Sequence, residues 1–215
     1  MSHRVWFTAD PHFGHANICQ GGPHPFPKAR PFKTIQAMDA ALTANWNAQV
    51  APTDEVYVVG DFCLGGLEQA AGYFARLNGR IYVIPGSHDQ RWFDAARKQQ
   101  ARGEPHYPVK LVSASGSPII LLPELVTIRL PGYKVNGKTL TMTMCHYQMA
   151  SWEQSHHGTL HIFGHHHGQR KGIGRSMDVG VDPAGYKLWG LDPLVKLLLT
   201  KPIHGKYQVE VQFNE

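Results

Sequence analysis

Apolar residues in the N-terminal half of the chain recur in two alternating rhythms. Val5-Trp6-Phe7-Thr8-Ala9 is a short β-branched and aromatic run that stops at Asp10-Pro11-His12, where proline ends regular pairing. Ile35, Met38, Leu42, Trp46 and Val50 then recur at steps of three and four, which predicts a helix with one buried face between Thr34 and Pro52. Val56-Tyr57-Val58-Val59 predicts a second strand ending at Gly60-Asp61, and Leu67, Ala70, Phe74 and Leu77 trace a second helix closed by Asn78-Gly79. Ile81 to Ile84 is a third strand, ending at Pro85-Gly86-Ser87-His88-Asp89. This alternation predicts βαβ units and a largely parallel sheet covered on both faces. Residues 14–33 are rich in Gly and Pro and have no apolar period, so they read as a long loop leaving from Asp10 and His12.

The second half changes character. Ile119 to Leu122, Leu125 to Leu130, Thr139 to Cys145, Leu160 to Gly164 and Met177 to Val181 follow one another as strands with few helices between. Val135-Asn136-Gly137-Lys138 carries an Asn-Gly hairpin signal, so part of this sheet is expected to be antiparallel. A short helix at Leu194 to Leu199 and a last strand at Tyr207 to Phe213 complete the pattern. The fold class is α/β, and residues 1–215, with 42% hydrophobic content, suffice for a single domain around one core.

Composition narrows the setting. No apolar run approaches the roughly 18 residues of a membrane span, and Met1 to Phe7 lacks a secretory pattern, which predicts a cytoplasmic protein with no membrane partner. Three cysteines, Cys19, Cys63 and Cys145, suit neither a disulfide framework nor a thiolate zinc site. The formal charge of +5 tilts the surface toward phosphate-bearing partners.

Histidine changes the picture most. Its 14 residues are not gathered at either terminus as in a tag, and histidine is both the commonest metal ligand and the usual acid or base near neutral pH. The apolar strands end on Asp10 and His12, on Asp61, on His146, and on His165 with His167, while the third ends on Ser87-His88-Asp89. Residues at the carboxyl ends of strands in such sheets converge on one crevice. Asp10/His12 and His165/His167 are i, i+2 pairs, which an extended segment projects to one side, and the same geometry turns His166 away. Carboxylate and imidazole donors suit Mn²⁺, Fe, Zn²⁺, Co²⁺ or Ni²⁺. Two such ions about 3.5–4 Å apart would generate hydroxide and clamp a phosphoryl group. Strand-end caps and solvated turns are the plain alternatives for each residue taken alone.

The ordered blocks Asp10-Pro11-His12, Gly60-Asp61, Gly86-Ser87-His88-Asp89, His146 and Gly164-His165-His166-His167 resemble the signature of the calcineurin-like metallophosphoesterase superfamily. Asp10 to Asn17 and Cys145-His146-Tyr147 look most like its compact bacterial and phage-type members. The resemblance implies a four-layer sandwich of two mixed β-sheets flanked by α-helices. It implies one metal on Asp10, His12 and His167, a second on His146 and His165, and Asp61 bridging them. The family's Asn ligand to the second metal is replaced by Ser87, a poorer donor, so weaker occupancy of that site is expected. His88 matches the histidine that contacts phosphate and protonates the leaving group, with Asp89 placed to orient it. His15, Asn17 and Arg30, on the loop after the first ligands, are expected to line the substrate mouth.

The implied activity is hydrolysis of phosphate esters, nucleotides and nucleic acid ends among them, with a hydroxide between two divalent ions, Mn²⁺ foremost, as nucleophile. A phosphodiesterase is favoured, with a phosphomonoesterase or a non-catalytic scaffold as alternatives. A pure nucleic-acid binder would need a basic stripe interleaved with aromatics, which the sequence lacks.

Overall fold

The computed structural model describes residues 4–24, 29–102 and 109–204. Strands β1 (Val5–Thr8), β2 (Glu55–Val59) and β3 (Arg80–Ile84) pair in parallel, separated in the chain by helices α1 (Ile35–Gln49) and α2 (Leu67–Phe74). Two-residue strands close the edges, β4 (Ile120–Leu121) parallel to β3 and β9 (Trp189–Gly190) antiparallel to β1, in the order β4-β3-β2-β1-β9. The second sheet has the order β5-β6-β7-β8, from β5 (Leu125–Val135), β6 (Lys138–Cys145), β7 (Leu160–Phe163) and β8 (Ser176–Asp178). Its β5–β6 pair is antiparallel across Asn136-Gly137, both with positive φ as a two-residue hairpin turn requires, and β7 and β8 follow in parallel. Both sheets are mixed, and helices flank them.

The apolar faces explain the layering. Met38, Leu42 and Trp46 of α1, with Ala70 and Phe74 of α2, pack on Val56, Val58, Ile81 and Val83 from one face of the first sheet. The opposite face, through Phe7, Val59 and Ile84, meets Leu140, Met142, Met144, Leu160 and Ile162 of the second sheet. Leu194, Val195 and Leu198 of α4 (Leu191–Leu199) join that inter-sheet core. Alternation in β7 sends Leu160 and Ile162 inward, while His161 lies on the other face with Trp152 tilted against it.

Several expectations need adjustment. Helix α3 (Gln90–Arg102) has no clear apolar period in the sequence, yet it buries Trp92, Phe93 and Ala96. The strand expected at Leu125 to Leu130 runs on to Val135 after a register shift that accommodates Pro131 and Gly132. The strand expected at Tyr207 to Phe213 lies outside the described residues. Among those described, no helix is long and apolar enough to cross a membrane.

Candidate metal centre

The carboxyl ends of β1, β2, β3, β6 and β7 carry the sequence-predicted residues into one crevice. Backbone bonds stitch the loops together there: Asp10 N donates to Gly60 O, His12 N to Asp61 O, and Gly164 N to His146 O. The glycines preceding the ligands mark close approach. A Cβ on Gly60 would lie 2.2 Å from His146 Nδ1, and one on Gly86 would lie 2.3 Å from Asp61 N.

Eight non-glycine residues among those described have positive φ, and five of them are Asp10, His12, Asp61, His165 and His167. Left-handed backbone is disfavoured for such residues and concentrates where function over-determines it. It also corrects the reason given for the i, i+2 pairs. Asp10 and His12 do reach one group, but from a turn beyond β1 rather than from extended chain, and His165 and His167 diverge into separate groups.

Those groups are Asp10/His12/His167 and Asp61/His146/His165, each with ligand atoms within 4.8 Å of one another, and a third set joins His12, Asp61 and His88. His167 Nδ1 lies 2.8 Å from Asp182 Oδ2 and donates to it, which turns a bare Nε2 toward His12 Nε2 at 3.3 Å. His146 Nδ1 lies 3.0 Å from the carbonyl of Val59 and must donate to it. Its Nε2, buried and without a hydrogen-bond partner, then faces Asp61 Oδ2 at 3.2 Å. Lone pair set against lone pair in a buried crevice is costly unless a proton or a cation stands between them. The donor set therefore fits divalent cations.

The electrostatics carry the same mark. Burial pushes the Asp10 carboxyl up to about 7 against the pull of His167 and His146, and burial drives His12 well below its ordinary range. Burial opposes the charged forms of Asp61 and His146 too. Their mutual attraction prevails, so Asp61 is held well below the usual carboxylate range and His146 is raised to about 9.

The remaining predicted residues have varied surroundings. Ser87 Oγ lies 3.2 and 3.3 Å from the two carboxylate oxygens of Asp61 and donates to them, and the His88 amide donates to Asp61 Oδ1 at 2.8 Å. The His88 ring lies 5.1 Å from that of His12 and 5.4 Å from that of His15, centroid to centroid. His15 is buried, with Nδ1 3.4 Å from His12 Nδ1. Asn17 accepts from the His24 amide at 3.3 Å.

Two expectations are overturned. Asp89 does not orient the His88 ring: fully buried, it accepts from the amides of Phe62, Cys63 and Gly86 and from the indole of Trp92, tying the loop after β2 to the loop after β3. Arg30 does not line an open mouth. It is buried, pairs with both oxygens of Asp182 at 2.8 and 2.7 Å, and donates to the carbonyls of Asp10 and Pro11.

Asp182 is the residue that sequence reasoning missed. It fixes the His167 tautomer and anchors Arg30, as carboxylates behind ligating histidines do. A signal existed, because the expected strand Met177 to Val181 ends on Asp182-Pro183 just as the first ends on Asp10-Pro11. Asp178 similarly accepts from Gly168 N and Gly180 N, bracing the turn after His167.

Comparison with known proteins gives the family and the fold. Residues 3–169 match the family model described as calcineurin-like phosphoesterase. An uncharacterized protein of Methanocaldococcus jannaschii is 27% identical over 207 residues, covering 91% of each chain. The gene 66 protein of Mycobacterium phage D29 is 33% identical over 89 residues, 40% of each chain. The crystal structure of a protein of unknown function from Aquifex aeolicus shares the fold, with a TM-score of 0.55 at 19% identity over 91% of this chain and 100% of that one.

Proposed function

The chain belongs to the calcineurin-like phosphoesterase family, and on that premise we propose that it is a dinuclear metal-dependent phosphodiesterase. One observation supports the reading: Asp61 Oδ2 lies 3.6 Å from His12 Nε2 and 3.2 Å from His146 Nε2, so a single carboxylate oxygen stands between a member of each ligand group. Asp10, His12 and His167 would hold one cation, His146 and His165 the other, with Asp61 between them. Mn²⁺ suits these donors, as do Fe, Zn²⁺, Co²⁺ and Ni²⁺. The chemistry such cations supply when bound is acidified water and neutralised phosphoryl charge.

The chain's own groups supply the rest. His88, held beside Asp61 by its own amide, is placed to give a proton to the departing oxygen. Asp89 and Asp178 hold the loops that carry these groups, which pre-organises the site before substrate arrives. The preference for diesters rests on Arg30. A monoester dianion carries an extra charge that calls for a further cation, and the Arg30 guanidinium, bonded to the backbone of Asp10 itself, is already committed to Asp182 and two carbonyls. Phosphate diesters, those of nucleotides and nucleic acid ends among them, are the substrate class.

The test is turnover of bis(4-nitrophenyl) phosphate and 4-nitrophenyl phosphate by chelated and Mn²⁺-reloaded protein. Metal-dependent hydrolysis with the diester preferred is expected. Preference for the monoester would overturn the diesterase assignment, and no turnover of either would favour a non-catalytic scaffold.

Ser87 sets the balance between the two ions. Its hydroxyl spends its proton on Asp61 and offers one short donor where an amide would reach farther. Ser87→Asn is expected to tighten Mn²⁺ binding at the Asp61/His146/His165 group by about 10-fold, the lower end of the range for such supporting groups. Metal content after dialysis against limiting Mn²⁺ measures this, and equal content in both proteins would sink it.

A further inference from the structure

Beside the Asp61/His146/His165 group lies a cavity of about 300 Å³ that the chemistry described so far does not use. Ser87, His146 and Tyr147 form its inner edge, so it opens directly onto the ligand groups. Gln90, Phe93, Asp94 and Arg97 line it from α3 at steps of three and four, the spacing of one helix face. Glu124, at the end of the β4–β5 connection, closes the opposite side, and Pro85 and Cys145 add apolar surface. Tyr147 is 49% exposed, and its ring contacts those of His146 and His165 at 5.1 and 4.9 Å between centroids. An aromatic residue left this open beside two ligand histidines offers a face on which a ring can stack.

We propose that this cavity is a nucleoside subsite, which makes the substrate a nucleoside phosphodiester. The inference rests on the phosphodiesterase reading and names the ester group that reading leaves open. Size is the first argument: the cavity stands at the lower limit of the ~300–1,000 Å³ typical of small-molecule sites, room for one base and sugar rather than an oligomer. The lining is the second. Asp94 and Glu124 are acceptors for sugar hydroxyls and ring amino groups, Gln90 both donates and accepts, and Tyr147 with Phe93 supplies the flat apolar surface. Two carboxylates against one guanidinium disfavour a second phosphate, and the polar or charged side chains of Ser87, Gln90, Asp94, Arg97, Glu124 and His146 disfavour a lipid tail.

Four esters with the same leaving group test the proposal: the two nucleoside esters thymidine and adenosine 5′-(4-nitrophenyl) phosphate, bis(4-nitrophenyl) phosphate, and 4-nitrophenyl phosphocholine. A charge-assisted hydrogen bond is worth roughly tenfold in affinity, so a nucleoside ester is expected to exceed both others in kcat/KM by about 10-fold or more. The Asp94→Asn/Glu124→Gln protein is expected to lose that preference through KM rather than kcat. Equal turnover of all four esters, preference for the phosphocholine ester, or a nucleoside preference untouched by the double substitution would overturn the subsite. Absence of metal-dependent turnover on every ester would instead sink the phosphoesterase reading. NMR titration of the chelated protein with thymidine and adenosine would then decide the cavity alone. Shifts at Tyr147 weakened by the double substitution keep it, and no shifts with either nucleoside overturn it.

Discussion

Asp61→Asn is expected to lower metal-dependent diester turnover by about 10³-fold, since a carboxylate that would hold cations supplying several kcal/mol of charge stabilisation is lost and each ~1.4 kcal/mol is a factor of ten in rate. The isostere keeps an oxygen to accept from the His88 amide, so the loop geometry survives and the loss reports charge. Bound Mn²⁺ is expected to fall from about two ions per chain to one or fewer. A second readout separates this role from a packing role. In chelated protein, burial lowers His146 but Asp61 more than offsets it, raising the imidazole from its ordinary 6.5 to about 9. The folded state thus holds this proton to higher pH than the unfolded chain. The stability it contributes is complete below about pH 6.5 and is lost as pH rises through about 9. Chelated protein should therefore melt at progressively lower temperature across that window, and Mn²⁺ should restore more at its upper end. The Asn variant should lose most of the slope. Turnover within tenfold of the original, or an unaltered slope, would show that Asp61 does not link the two groups.

The contrast between Asp61 and Asp182 shows what a sequence discloses. Asp61 closes a fully apolar run, and the run, the preceding glycine and the carboxylate are all local features. The same holds for β1, α1, β2 and β3, where apolar periodicity and Pro or Gly stops coincide with the observed elements, whereas α2 ends at Phe74, short of the expected stop at Asn78-Gly79. Asp182 also follows an expected strand, but its task depends on His167 and on Arg30, 15 and 152 residues away. Arg30 looked like a mouth residue because it stands in a Gly/Pro loop, and only the return of that loop onto Asp10 and Pro11 buries it. Helix α3 escaped notice because three buried residues, Trp92, Phe93 and Ala96, are too few to set a period in a segment rich in Gln, Arg and Lys. Strand β9 is two residues long and exists through its pairing with β1. The positive φ values at the ligands leave no trace in residue type, since Asp and His are tolerated there only because the surrounding loops impose the conformation.

His88→Ala is expected to cost about 10²–10⁴-fold on diesters with alkoxide leaving groups and less than about tenfold on 4-nitrophenyl esters, whose leaving group departs without a proton. The asymmetry follows from position. The His88 ring shares a group with His12 and Asp61, on the side of the crevice where His15 also lies, so in the proposed reading it would meet the phosphoryl group without being needed to complete either ligand set. Metal content should accordingly stay near that of the unmodified chain. The Asp89 geometry sharpens the test. Because Asp89 is spent on three amides and an indole, Asp89→Asn should lower the melting temperature by leaving buried donors poorly matched, and should scale turnover of both ester classes equally. A proton donor and a loop anchor adjacent in sequence would thus separate in a plot of rate against leaving-group pKa. His88→Ala should steepen the dependence, while Asp89→Asn should shift the line without changing its slope. Parallel lines for both variants would remove His88 from the proton-transfer role and leave it only a contact to phosphate.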